Sequence, residues 1–284
     1  MTTTPGPVRH DEPIRHDEPI RRTAVGRALA VLDAFGPGNR TLTLSEISRR
    51  AGLTLPTTHR LVGELVSWGA LERHPSGRYF VGLRLLELAA LAPRGLELRE
   101  AAYPYLDDLH QATHANVHLG VRDGHEVVYV EAMRSRASAQ ISSRVGDRWP
   151  LHATGTGLVL LAYADKELQD DVLRAPMVRY SPKTIVDPRV LRRMLAEVRQ
   201  TGVVITRQQI SMEAVAVAVP VRGPRENVVA AISVVVGTDE QVLRRLIAML
   251  ADTAASISTV LGATPAPRRP ASQRCRGVSL TSPA

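Results

Sequence analysis

Between Ala24 and Val81 the chain carries an ordered series of local signals that very few folds can satisfy together. Apolar residues at Ala24, Val25, Ala28, Leu29, Val31, Leu32 and Phe35 follow a helical period, so a helix is expected over 24–35, ended by Gly36-Pro37-Gly38. Thr43-Leu44-Ser45-Glu46 is a capping box, with a hydroxyl N-cap and a glutamate three residues on. The helix it opens should reach Ala51, turning Leu44 and Ile47 inward and Arg49 and Arg50 outward, with Gly52 as its stop. Thr54 is placed to cap a further helix, and Pro56 lies in its first turn, where a missing N–H does no harm. That helix should run to Trp68 and close at Gly69, with Leu61, Val62, Leu65, Val66 and Trp68 on its inner face. Two capped helices around a short glycine turn form a helix-turn-helix. The β-prone runs 70–73 and 78–81 flank His74-Pro75-Ser76-Gly77, which predicts a hairpin, and a hairpin in that place is a wing.

A recognition helix reads base edges mainly through its N-terminal residues. That places Leu55, Thr57, Thr58, His59 and Arg60 as candidate DNA contacts, with Ser45 on the preceding helix. Arg73 and Arg78 flank the wing turn and are candidates for phosphate or the minor groove. The charge agrees: of the net +8, residues 21–92 carry +5 and the tail from Gly262 carries +4, while 93–261 is nearly neutral. All the base except Lys166 and Lys183 is arginine, the side chain suited to bidentate phosphate and guanine contacts. A genome rich in G·C also favours arginine codons, so charge alone does not decide. A winged helix that pairs with protein is the competing reading; the basic block opposes it, and loss of binding with rising salt would mark DNA.

The 284 residues suggest two domains with tails. Residues 1–22, which hold the tandem hexapeptide Arg-His-Asp-Glu-Pro-Ile, read as a disordered tail, and 23–82 as the winged helix-turn-helix. A metal tract at His10 and His16 lacks convergent ligands. Residues 83–95 read as an apolar linker helix that favours burial against a second copy. From 96 to 261 the pattern is α+β. Helices are expected at Leu96–Ala112, 155–164, Glu167–Leu173, Arg189–Gln200 and 239–261. Strands are expected at Asn116–Val121, Val127–Met133, Val203–Arg207, Val215–Val221 and Val228–Val236, the first pair joined by an Arg122-Asp123-Gly124-His125 turn. Residues 262–284 read as a disordered basic tail, with Arg268, Arg269, Arg274 and Arg276. The single cysteine, Cys275, allows no internal disulfide. There is no run of eighteen apolar residues and no apolar signal core, so a cytoplasmic protein with no membrane partner is expected.

These residues resemble the IclR family of bacterial regulators over about 24–261. The N-terminal part carries the family pattern at Ala51-Gly52-Leu53, Thr57, Arg60-Leu61, Leu65, Gly69, Gly77-Arg78-Tyr79 and Gly82. The C-terminal part carries it at Pro150-Leu151-His152-Ala153-Thr154-Gly155, Gly157, Leu160-Leu161-Ala162, Ala218-Val219-Pro220-Val221 and Ala230-Ala231-Ile232-Ser233. The resemblance implies a winged helix joined to a GAF-like effector domain, acting as a dimer or dimer of dimers on double-stranded operator DNA, with repression the commoner mode. It implies no cofactor and no enzymatic activity.

Thr154 is placed to cap a helix starting near Gly155, whose free amides at Gly155, Thr156 and Gly157 would converge on one spot, as they do where anions bind. The resemblance puts an effector's carboxylate there and implies Gly155, Thr156, Thr206, Ala216 and Ser233 as its contacts. Leu158 stands where the family often has lysine, Thr206-Arg207-Gln208-Gln209 where it often has acidic residues, and Ala216 where it often has cysteine. The effector expected is therefore larger or more apolar than a two- or three-carbon oxoacid, an aromatic or branched carboxylate, with Arg207 as a possible partner for its charge. A regulator without an effector is the alternative. Two further readings are weaker. A hydrolase built on His152, Thr154 and Thr156 lacks an acid to orient the histidine. A metal face at His110 and His114, with His118 and His125 elsewhere, lacks further ligands.

Overall fold

The computed structural model describes residues 23–36, 38–92, 95–135, 143–237 and 240–264. The hexapeptide repeat, the arginines from Arg268 onward and Cys275 lie outside them. The chain divides into two compact units, with the boundary between Ala92 and Pro93.

The first unit is a winged helix. Helices α1 (Ala24–Leu32), α2 (Leu44–Ala51) and α3 (Leu55–Trp68) are followed by β2 (Leu71–Arg73), β3 (Tyr79–Val81) and α4 (Leu83–Ala89). A two-residue strand, β1 (Thr41–Leu42), was not expected; it pairs with β3 to give a three-stranded sheet in the order β1-β3-β2. A two-residue strand has too short a pattern to register as alternation. Helix α1 ends three residues before its expected stop, at the Asp33 C-cap. The capping box forms in both directions: the Glu46 amide donates to the Thr43 hydroxyl, and the Thr43 amide donates to the Glu46 carboxylate at 2.7 Å. Gly52 and Gly69 end α2 and α3 with φ of 66° and 89°, a conformation that costs a side chain energy.

Ala30, Val31, Ile47, Ala51, Leu61, Val62, Leu71 and Tyr79 make the core of this unit. Trp68 does not join it. The residue falls on the correct angular stripe of α3, but in the last turn, beyond the elements that cover it, and is half exposed with the Arg84 guanidinium 5.6 Å from its ring centre. Replacing Thr43 with alanine removes the α2 cap and should cost about 1 kcal/mol. In calorimetry of the full chain the transition of this unit should fall by about 4–8 °C, with the second unit's transition unmoved.

The second unit is built on one antiparallel sheet. Its strands are β4 (Asn116–Asp123), β5 (Glu126–Met133), β6 (Arg148–Pro150), β7 (Val204–Arg207), β8 (Val215–Arg222) and β9 (Val228–Val236), in the order β6-β5-β4-β9-β8-β7. Strands β4 and β5 run further than their apolar residues suggest, so the turn between them shrinks to Gly124-His125. The short edge strand β6 was not expected. Helices α5 (Leu96–Thr113) and α9 (Glu240–Val260) cover one sheet face, packing on Val117, Leu119, Val217, Val219, Ile232 and Val234. Helix α6 (Gly155–Ala162), with α7 (Lys166–Arg174) and α8 (Pro188–Thr201) behind it, covers the other face at Tyr129, Val204, Ala218 and Ala231. Period-two alternation thus splits each central strand between two cores. The result is the α+β class expected, with a helical layer on each side of the sheet.

Candidate functional site

The first candidate surface belongs to α3. Ser45, Leu55, His59 and Arg60 are exposed, and Thr57 is half-buried. Arg60 reaches back to Glu64 one turn along the helix, and both side chains are more than half exposed. An exposed pair of this kind is worth little, so the guanidinium is free to exchange partners.

Two expectations are corrected, at Thr54 and Thr58, and Arg78 has partners that the sequence did not show. Thr54 makes no side-chain cap; its hydroxyl instead donates to that of Thr57 at 2.9 Å. Thr58 is fully buried and donates to the Thr54 carbonyl at 3.0 Å, so it cannot reach a base. The same helical period that buries Leu61, Val62 and Leu65 turns Thr58 inward with them. Arg78 is held by its own unit: its guanidinium donates to the Thr41 carbonyl at 2.8 Å and to Glu46 at 3.1 Å. Glu46 therefore joins the α2 cap to the wing, and its carboxyl is lowered below the usual range by the Thr43 bonds first and by Arg78 and Arg49 after them. Arg73, exposed, lies 5.9 Å from the Tyr79 ring centre.

The second candidate surface lies where the N-terminus of α6 meets the sheet. The Thr154 hydroxyl accepts the Gly157 amide at 3.0 Å, as the capping argument requires. One of the three convergent amides is thereby taken, which leaves those of Gly155 and Thr156 as the candidate anion donors. The helix can sit this low because the floor is small. A side chain on Gly155 would meet Ala218 at 3.2 Å, Ala216 at 3.6 Å and Thr206 at 3.8 Å; one on Gly120 would strike Val127 at 2.5 Å. Thr206, Ala216 and Ser233 are all on this sheet face, linked by the pairings Thr206↔Ala216 and Ala218↔Ser233. Arg207 follows Thr206 on a strand and so points to the other face, opposite Val215, away from the proposed carboxylate.

Next to this floor is a polar group that the sequence reading had not assembled. On β4, Asn116 and His118 are 1% and 2% exposed. A bulge after Leu119 sets Gly120 opposite Tyr129 and re-aims the tyrosine. Its ring then stacks on His118, with centres 4.7 Å apart and planes 10° from parallel. Burial pushes the Tyr129 phenol up to about 12, against the pull of the Thr156 and Thr154 hydroxyls beside it. Burial also lowers His118 to about 4, so its imidazole is neutral at physiological pH. The His118 Nδ1 and the Ser233 hydroxyl are 3.4 Å apart. The His118 Nε2 and the Asn116 Nδ2 are both buried and have no hydrogen-bond partner among the described residues. An unmet buried polar atom costs about 1–3 kcal/mol, which makes these two the conspicuous chemistry of the face. Sequence spacing places Asn116 and His118 together on one face of a strand, but only the register with β9 brings them to Ser233.

A family model for the IclR helix-turn-helix domain matches residues 24–75, and one for the C-terminal domain of bacterial IclR transcriptional regulators matches 91–259. The chain belongs to the IclR family. The regulator XynR of Escherichia coli is 32% identical over 212 residues, covering 74% of this chain and 84% of the relative. The E. coli repressor AllR is 26% identical over 244 residues, covering 84% of this chain and 90% of the relative. Among solved structures, an IclR homologue of Microbacterium hydrocarbonoxydans complexed with 4-hydroxybenzoate superposes with a TM-score of 0.80 at 34% identity, covering 84% of this chain and 99% of that one. The protein is thus a transcriptional regulator with a helix-turn-helix DNA-binding domain.

In this IclR-family chain the histidine next to the candidate anion site is held structurally. The His152 Nε2 donates to the Val178 carbonyl at 3.0 Å, and burial lowers its pKa against the pull of that bond. His110 is likewise engaged, by the Ala115 carbonyl at 2.7 Å, while His114 is an exposed left-handed cap at the end of α5. A cleft of about 580 Å³ opens at the far end of α6, between Tyr163, Asp165, Arg122, Glu97 and Asn227. Neither Gly155 nor Thr156 lines it. No helix among the described residues is long and apolar enough to cross a membrane.

Proposed function

We propose that two copies of this chain pair through the apolar faces of α1 and α4 and set one α3 each into successive major grooves of an operator. A small carboxylate bound at α6 changes the spacing of the two heads and so relieves repression. The observation that carries the reading is the exposed face of α3, where Leu55, Thr57, His59 and Arg60 stand with Ser45 beside them, in a family of regulators. The operator is then an approximate inverted repeat, since a two-fold protein reads a two-fold site. The lack of an acidic side chain among Thr206, Ala216, Ala218 and Ser233 favours an aromatic or branched acid over a short oxoacid. The relative with bound 4-hydroxybenzoate supports that choice.

The test is fluorescence anisotropy of a labelled duplex taken from upstream of this protein's own gene, against a scrambled duplex, at two salt concentrations. Binding to the native duplex should be specific, and added 4-hydroxybenzoate should weaken it where glyoxylate and pyruvate do not. Equal, salt-sensitive binding to both duplexes would remove the claim of specific recognition there. Micromolar binding of glyoxylate or pyruvate would remove the claim of an aromatic or branched effector. Specific binding that no acid alters would leave a regulator without an effector.

A further inference from the structure

We infer that the ligand of the second unit carries a hydroxyl group as well as its carboxylate, and that His118, with Asn116 beside it, selects for that hydroxyl. The inference rests on the reading of Gly155 and Thr156 as the carboxylate end. It begins from the two buried polar atoms without partners, Nε2 of His118 and Nδ2 of Asn116. Both residues belong to β4, two apart, on the sheet face that α6 covers, and both side chains are enclosed by protein.

Their hydrogen-bonding roles are constrained. The Asn116 Oδ1 accepts the Ser135 amide at 2.8 Å, which fixes the orientation of the side-chain amide and leaves Nδ2 as a donor. Among the described residues the hydrogen-bond partner of the His118 Nδ1 is the Ser233 hydroxyl, at 3.4 Å. If that hydroxyl donates, Nε2 carries the proton and needs an acceptor; if it accepts, Nε2 is bare and needs a donor. A ligand hydroxyl satisfies either tautomer while also accepting from Asn116. A second carboxylate only accepts, and it would have to be buried against a neutral ring. Glu131 of the neighbouring strand lies opposite Leu119, on the other sheet face, and pairs with Arg99 of α5 at 2.8 Å. The stack on Tyr129 holds the imidazole in one plane, and the tyrosine hydroxyl stands beside Thr154 and Thr156. One rigid ring system therefore connects the hydroxyl end of the site to the anion end.

The experiment is calorimetric titration of the full chain with three probes: benzoate, 4-hydroxybenzoate and phenol. Wild type should bind 4-hydroxybenzoate at least about tenfold more tightly than benzoate, the worth of one good buried hydrogen bond. His118→Phe keeps the stacked ring and removes Nε2. It should bind both acids equally, at the benzoate level of wild type, with Tm recorded to show that it folds. His118→Gln restores a polar atom and should regain part of the preference. A preference that survives in His118→Phe overturns the inference while leaving the carboxylate reading in place. The same holds if His118→Phe changes only Tm, as it would if the two atoms merely served an internal water. Phenol binding as tightly as 4-hydroxybenzoate would instead overturn the carboxylate reading, and tight binding of neither acid would overturn both.

Discussion

Replacing Arg60 with alanine should weaken binding to the operator duplex by about 1–3 kcal/mol per head, roughly 5- to 150-fold, and relax discrimination against a scrambled duplex. The argument is geometric. Arg60 is in the second turn of α3, exposed, and among the described residues pairs with Glu64, which is exposed as well. Nothing in the unit's core depends on it, so Tm should be unchanged. Two contrasts make the result specific. Glu64→Ala removes the competing carboxylate and should leave binding equal or tighter. Arg78→Ala should do the opposite of Arg60→Ala: it frees the Thr41 carbonyl and Glu46, loosens the wing from α2, and lowers Tm more than it alters sequence preference. Loss of specificity in Arg78→Ala, with Arg60→Ala neutral, would move base reading from the helix to the wing.

Replacing Leu86 with aspartate should abolish pairing of the chain and, with it, most operator affinity. Leu83, Leu86, Leu88 and Leu91 are exposed by 69%, 67%, 43% and 77%, and Val25 on α1 by 69%. A seven-residue helix with no buried residue has no reason within its own unit to be so apolar. Each leucine fully covered by a second copy contributes about 1.5–3 kcal/mol, and two-fold symmetry counts every one twice. A buried aspartate reverses that gain at both copies. Light scattering should show wild type as a dimer or a dimer of dimers and Leu86→Asp at half the mass or less. Its Tm should fall no further than loss of pairing itself lowers it, because Leu86 is 67% exposed in its own chain. An unchanged mass would place the pairing surface elsewhere.

The winged helix was legible because its signals are local. A capping box, a glycine in the left-handed region and a helical apolar period each act within a few residues, so Thr43, Gly52 and Leu61 declared their roles without any tertiary partner. The strands of the second unit were legible for the same reason, since alternation is read along one segment. What failed to show was short or at an end. Strands β1 and β6 have too few residues to alternate, and Trp68 and Thr58 depended on where the core stops and which stripe it takes.

The candidate sites divide along the same line. Sequence alone determined that Thr57, His59 and Arg60 stand at the start of a helix, and that Thr154 caps another whose first residues are glycine, threonine and glycine. Only the folded chain decided that Arg78 braces the wing, that Arg207 turns away from Thr206, and that His118 meets Ser233 and Tyr129. Those relations join residues from about thirty to more than a hundred positions apart, or depend on a strand's register and a bulge. A period-two pattern says which residues share a face, but only the hydrogen-bonded neighbour strand sets what each one faces.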